Sequence, residues 1–273
     1  MLLLISLLYP GLGYGQGFNF RHLSVAEGLS QSAVLCTAQD EKGYIWVGTA
    51  DGLNKYNGYE FSHFRNRPGD SLSISDNFIY AIEPAKKGGI WVGTLGGGLN
   101  YFNPKLNSFE RWPVTSKTQK LTNEDVYCIM DLDSALLVGT YAGLEVSYDG
   151  QEFERIGLEN DFLYTPRDLL LTQRKEILVA HDYGLSQWEF GNGFSENQPK
   201  GLTDLNDQQV NVHSLCQLSS GEIWVGTESG LFLFDENYNP IRLPNSLKER
   251  FQNTSIASIY QDASSNIWIG TKY

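Results

Sequence analysis

Short apolar segments of about five residues recur along the chain, each closed by a turn rich in Gly, Asp or Asn. No segment shows a helical period that competes with them. The clearest segment is a pentapeptide that returns six times. It reads Ile45-Trp46-Val47-Gly48-Thr49, Ile90-Trp91-Val92-Gly93-Thr94, Leu136-Leu137-Val138-Gly139-Thr140, Ile177-Leu178-Val179-Ala180-His181, Ile223-Trp224-Val225-Gly226-Thr227 and Ile267-Trp268-Ile269-Gly270-Thr271. The second positions lie 45, 46, 41, 46 and 44 residues apart, the period of a four-stranded propeller blade. The flanks supply the other strands. In the first repeat, strand A is expected at Val34–Gln39, B at 44–48, C at 53–56 and D at 59–64, with a longer crossing over 65–77 to the next blade. The predicted fold is all-β, a β-propeller of four-stranded antiparallel blades with about 5.5 blades present in an incomplete, open ring.

In such a ring, strand A lines the axis and strand D the rim, so the A position nearest the axis should be small. Ten residues before the Trp position lie Cys36, Ala81, Ser214 and Ser258 in four blades, Tyr127 in the shortened third and Asp168 in the fourth. The pentapeptide Trp is expected to fill the wedge between neighbouring blades, which makes Trp46, Trp91, Trp224 and Trp268 structural instead of a stacking site for sugars. Gly48, Gly93, Gly139, Gly226 and Gly270 are expected to allow a close turn before strand C.

Composition agrees with this reading: Gly (28), Tyr (15), Phe (14) and Trp (6) are abundant and charged residues are only 19%. The net charge of −12 excludes a nucleic-acid partner, because it repels phosphate backbones. The run Leu2 to Leu8 is too short to span a bilayer. Followed by Tyr9, Pro10 and small residues, it reads as a secretory signal over residues 1–16, leaving the propeller at 17–273. No Lys or Arg precedes Leu2, so an upstream start or a buried strand is the alternative. Cys36, Cys128 and Cys216 form neither a disulfide framework nor a CxxC metal pair and are expected to be structural.

The segments Gly28-Leu29-Ser30-Gln31-Ser32, Gln39-Asp40, Gly43-Tyr44-Ile45-Trp46-Val47-Gly48-Thr49 and Asp51-Gly52-Leu53-Asn54-Lys55-Tyr56 resemble the first repeat of the two-component regulator propeller family. The resemblance extends over about residues 18–273. It implies an extracytoplasmic sensor region that binds glycan fragments, in a parent protein anchored in the inner membrane and connected to a downstream histidine kinase. Strands C and D of the sixth blade are not in the sequence, so an N-terminal fragment of a larger sensor is expected. Phe18 to Leu23 resembles an orphan strand D that closes such a ring.

The B-to-C turns, with Asp51, Tyr141, Asp182, Tyr183 and Glu228, are expected to ring the channel mouth, where ligands bind. Blade four departs most from the repeat: Trp-Val-Gly-Thr becomes Leu178-Val179-Ala180-His181, and its inner strand carries Arg167 and Asp168. A local rule broken where polar groups gather marks a candidate site. The alternative is a degenerate blade in which Arg167 and Asp168 pair with each other or with water. Tyr141 and Tyr183 are candidates to stack on a sugar face, with Arg167 and Asp182 bonding hydroxyls or a uronate carboxylate. His213 completes the candidate set, and His22 and His63 stand apart from it. No catalytic motif, cofactor or metal is expected. An oligosaccharide or other small molecule is the expected ligand, with a homodimer contact as a second expected partner. Two alternatives remain: a propeller lyase using His181 with His213 or Glu228, or a scaffold whose Asp51, Asp70, Asp76 and Asp125 hold calcium or a partner.

Overall fold

A computed structural model describes residues 22–112, 121–156, 164–191, 193–196 and 210–272. The proposed leader and most of the expected orphan strand lie outside the described residues. Blade 1 contains β1 (Val34–Gln39), β2 (Ile45–Thr49), β3 (Gly52–Tyr56) and β4 (Phe61–Phe64). Blade 2 contains β5 (Ile79–Pro84), β6 (Ile90–Thr94), β7 (Leu99–Asn103) and β8 (Ser108–Trp112). Blade 3 contains β9 (Val126–Asp131), β10 (Leu136–Thr140), β11 (Gly143–Ser147) and β12 (Glu154–Ile156). Blade 4 contains β13 (Pro166–Leu171), β14 (Glu176–His181), β15 (Gly184–Gly191) and β16 (Gly193–Glu196). Blade 5 contains β17 (Val212–Gln217), β18 (Ile223–Thr227), β19 (Leu231–Phe234) and β20 (Pro240–Ile241), and the last sheet pairs β21 (Ile256–Gln261) with β22 (Ile267–Thr271).

Every blade is an antiparallel sheet in sequence order, and the inner strands β1, β5, β9, β13, β17 and β21 pack one against the next. The two ends of the open ring expose Val34 and Leu35 on one side and Tyr260 and Trp268 on the other. Two short elements have no counterpart in the sequence pattern, a 3-10 turn over Val25–Glu27 and a helix α1 (Asn245–Phe251) on the crossing to the last sheet. Leu247 and Phe251, one turn apart, pack it onto the cluster of Trp224 and Leu231, and two apolar residues are too few to register as a period.

The core consists of wedges between blades. Trp46 is 1% exposed and packs among Ile79, Ile90, Phe102 and Phe109 of blade 2. Where blade 3 has Leu137 at the Trp position, Trp188 of β15 fills the wedge from the other side. Wedges are therefore filled by volume, whichever blade supplies it.

The register corrects two expectations. The pentapeptide glycines lie opposite the third residue of the inner strand, as Cys36 opposite Gly48 and Ser214 opposite Gly226. They serve close approach and not a turn: a Cβ on Gly226 falls 2.6 Å from Cγ2 of Ile256 in the next inner strand. The turn before strand C is made by the following glycines, such as Gly52 at φ 110°. Nor do the small residues Cys36, Ala81, Ser214 and Ser258 mark the point nearest the axis. In blade 3 their counterpart is Cys128 and not Tyr127, since Cys128 pairs with Gly139. They face the neighbouring blade: Cys36 packs against Ile79, and Ser214 Oγ accepts from Ile259 N at 2.9 Å.

Candidate functional site at the channel mouth

All six inner strands break register at the same place, between their first and third residues. The residue in each bulge is unpaired and freed from the pleat, and these residues are Leu35, Tyr80, Tyr127, Arg167, His213 and Ala257. Bulged side chains from consecutive blades touch one another around the axis. The Tyr80 and Tyr127 rings meet edge to face at 5.2 Å, and the Arg167 guanidinium lies 4.7 Å from the Tyr127 ring centre. Arg167 Nε donates to Asp182 Oδ1 at 2.8 Å, and Lys272 Nζ lies 3.4 Å from His213 Nε2.

The electrostatics follow from this crowding. Burial disfavours the Arg167 charge, but its hydrogen bond to Asp182 outweighs that and raises its pKa. Burial, then the nearby Lys272 and Arg167 charges, lower the His213 pKa, so its imidazole is neutral at neutral pH. Burial, then the charge of Asp125, raise the pKa of the Tyr127 phenol. The mouth thus offers one fixed guanidinium, two tyrosine rings, a neutral imidazole and a carboxylate.

Five expected residues fall on this face: Arg167, Asp182 and His213 within the cluster, Tyr141 and Tyr183 exposed on its turns. Glu228 accepts from Asn211 at 2.8 Å and acts on His213 through its charge. Asp51 is drawn outward, paired with Arg65 at 3.0 Å. Tyr80 and Tyr127 are the residues that sequence reasoning missed. Their signal is the position one before the small residue, visible only once the bulge is known.

Asp168 and His181 have other occupations. Asp168 accepts from Leu169 N and, across the blade boundary, from Leu215 N, both at 2.8 Å. This is the bond Ser214 makes one blade later, so Asp168 is an inter-blade staple, and its partner is not Arg167. Burial pushes its pKa up to about 6. His181 stands where other blades have Thr. In blade 1 that position belongs to a latch: Asn54 accepts from Ser30 N at 2.9 Å and Ser30 Oγ meets Thr49 Oγ1 at 2.9 Å. In blade 4 His181 Nε2 donates to Ser186 Oγ at 2.8 Å, Nδ1 accepts from Tyr183 N at 3.2 Å, and burial lowers the pKa to about 4. Blade four has therefore rebuilt its latch with different residues.

The two-component regulator propeller model matches residues 28–51, 73–96, 204–229 and 250–273. The matched segments, in blades 1, 2 and 5 and the last sheet, are two-component regulator propeller repeats. The first three matched segments end on B-to-C turns, and those in blades 1 and 2 take in the latch residues Ser30 and Ser75. Over 58 residues, 21% of this chain, the propeller is 52% identical to histidine kinase P4 of Formosa agariphila, a match spanning 4% of that protein. Among solved structures it is similar to the extracellular domain of the hybrid two-component system BT3049 of B. thetaiotaomicron. That pair has a TM-score of 0.64 and 21% identity over 92% of this chain and 40% of the other. It is also similar to a catalytically inactive virginiamycin B lyase of Staphylococcus aureus, with a TM-score of 0.64 and 10% identity over 87% of this chain and 77% of the lyase. The chain thus spans less than half of the sensor ectodomain it matches.

Proposed function

We propose that this propeller is the ligand-sensing part of an exported two-component signalling protein, with residues 1–16 as export signal and a histidine kinase in the same parent chain. The ligand is an oligosaccharide, or another small molecule of similar chemistry, held at the channel mouth. The observation that carries the reading is the convergence of Tyr80, Tyr127, Arg167, Asp182 and His213 from four consecutive blades. Tyrosine rings stack on apolar sugar faces, while Arg167 and Asp182 bond hydroxyls, and the guanidinium favours a uronate carboxylate. Ligand held there shifts the orientation of this propeller relative to a second one, or across a homodimer contact, and so biases the kinase. Calorimetric titration with uronate-containing and neutral oligosaccharides tests this. Binding should weaken at least about tenfold in Tyr127→Ala and Arg167→Ala. A flat response to the whole panel, or binding untouched by both variants, rejects the mouth as the site.

Lyase chemistry is less well supported, because His181 is committed to Ser186 and its imidazole is buried, 8% exposed. A calcium scaffold also lacks a basis. Asp51 and Asp70 are paired with Arg65 and Arg67, Asp76 caps Phe78 N, and no three ligand-type side chains cluster among the described residues.

A further inference from the structure

Two positions of every repeat meet at the channel mouth, the bulged residue of the inner strand and the first residue of the B-to-C turn. The turn series reads Ala50, Leu95, Tyr141, Asp182, Glu228 and Lys272. For Ala50, Leu95, Tyr141, Glu228 and Lys272 the backbone N–H donates to the carbonyl two residues before the bulge, so Lys272, bonded to Ser255 O at 3.0 Å, is held as its counterparts are. The two series pair differently in successive blades. In blade 4 the bulged Arg167 bonds the turn residue of its own blade, Asp182, 15 positions on. The same step in blade 5 leads from His213 to Glu228, but Glu228 Oε2 accepts from Asn211 Nδ2 at 2.8 Å. His213 meets the turn residue of the next sheet instead, with Lys272 Nζ 3.4 Å from its Nε2.

An ammonium can only donate, so Nε2 accepts and the imidazole is neutral with its proton on Nδ1. His213 is thus held between carboxylates that favour its charged form and cations that oppose it. Burial, then Lys272 and Arg167, lower its pKa, while Glu228 and Asp182 raise it. These are the charges that the neighbouring elements bring: Arg167 on β13, Asp182 after β14, Glu228 after β18 and Lys272 after β22, with uncharged Ala257 in the bulge of β21. The Lys272 contact is long, and both partners are open to solvent, His213 half-buried and Lys272 exposed. It is the contact that an entering group can displace. His181, committed to Ser186 and 8% exposed, has no such freedom.

We infer that His213 is the residue by which the mouth selects an acidic oligosaccharide: the sugar carboxylate draws the Lys272 ammonium away from Nε2, and His213 takes a proton from solvent and donates it in a hydrogen bond to that carboxylate. The inference rests on the mouth as the ligand site. One proton moves from solvent to the imidazole, and no bond of the sugar is made or broken. A neutral sugar leaves Lys272 on Nε2 and His213 uncharged. A cationic sugar is repelled by Arg167 and Lys272. The sign of the pH dependence follows: a carboxylate beside His213 raises its pKa above that of the free protein, so binding strengthens as pH falls and levels off below the free-state value. A rise of about one unit corresponds to an uptake of at most about half a proton and a total gain in affinity of about tenfold.

The test is calorimetry of the full chain with digalacturonate and dimannuronate, each beside its methyl ester as an uncharged comparator, from pH 8 to 5 in pairs of buffers that differ in ionisation enthalpy. At least one uronate should bind about tenfold more tightly than its ester at pH 6, take up a proton fraction of about one half at its maximum, and tighten by about tenfold as pH falls, while ester binding stays level. His213→Gln keeps a hydrogen-bonding side chain that does not titrate, and should abolish both the uptake and the pH dependence. Lys272→Met frees His213 to charge before the ligand arrives, and should shrink the uptake. His63→Gln, on the rim strand β4, should leave the uptake unchanged. In proton NMR the His213 imidazole, assigned by its loss in His213→Gln, should titrate at higher pH with uronate present, and melting temperatures report that each variant is folded. Equal binding of uronate and ester, binding without proton uptake, or uptake retained in His213→Gln overturns the inference and leaves the mouth standing as a ligand site. Absence of binding by all four probes overturns the inference together with the mouth reading.

Discussion

Asp168 offers the most quantitative check on the architecture. Its carboxyl lies at the boundary between blades 4 and 5, where it accepts two backbone N–H groups and has no cationic partner among the described residues. Desolvation wins over those two bonds, and its pKa rises from 3.8 to about 6. That shift corresponds to about 3 kcal/mol of preference for the protonated form in the folded state. The sign follows from proton counts. Between pH 4 and 6 the folded chain holds this proton and the unfolded chain releases it, so this contribution to stability is present at low pH and is lost as pH rises through 6. Asp168→Asn removes the titration but keeps the shape. Urea unfolding of both proteins between pH 4 and 7.5 should show the stability difference, wild type minus variant, falling by about 2 kcal/mol across that range. Taking the difference cancels His181, whose lowered pKa acts in the opposite direction, and all of the Glu83 titration, which burial pushes up to about 7, except the part owed to the charge of Asp168, the smallest of its causes. A difference independent of pH, or one that rises with pH, refutes the buried staple and returns Asp168 to the solvated mouth.

Three further outcomes follow from the packing. Gly226→Ala places a methyl group 2.6 Å from Ile256 Cγ2 and should cost about 1–3 kcal/mol, read as a lowered melting temperature, whereas Gly58→Ala meets no atom within 4 Å and should cost mainly the backbone strain of φ 96°. His181→Ala breaks the blade-four latch and should destabilise by about 1–3 kcal/mol, read in urea titration, by leaving Ser186 Oγ without its His181 partner. Burial raises all three cysteine pKa values, that of Cys36 to about 12, so a thiol reagent at pH 8 should label the native protein far more slowly than the urea-unfolded chain. Prompt labelling of Cys36 in the native state contradicts its packing against Ile79.

Much of the fold is legible in the residue pattern, because a propeller blade is a local object. Strand A of blade 1 falls where the alternation puts it, Val34–Gln39, and the pentapeptide marks strand B in every sheet, since neighbouring antiparallel strands joined by tight turns draw their partners from a few residues away. The burial of Trp46 in a wedge follows from the same periodicity. What the pattern could not specify is where one blade meets another. The one-residue bulge in each inner strand moves the axis-facing position from Cys36 to Leu35 and from Ala81 to Tyr80, and a slip of one residue changes every side chain's direction. The mouth joins Tyr80, Tyr127, Arg167 and His213, about one blade apart in sequence, and their contacts exist only once the ring is curved. For the same reason Asp168 and His181 look like a polar anomaly in the chain and become a staple and a latch in the ring. Residue identities and spacing set the blades. The curvature that brings distant inner strands together decides which polar residues face a ligand and which hold the blades to one another.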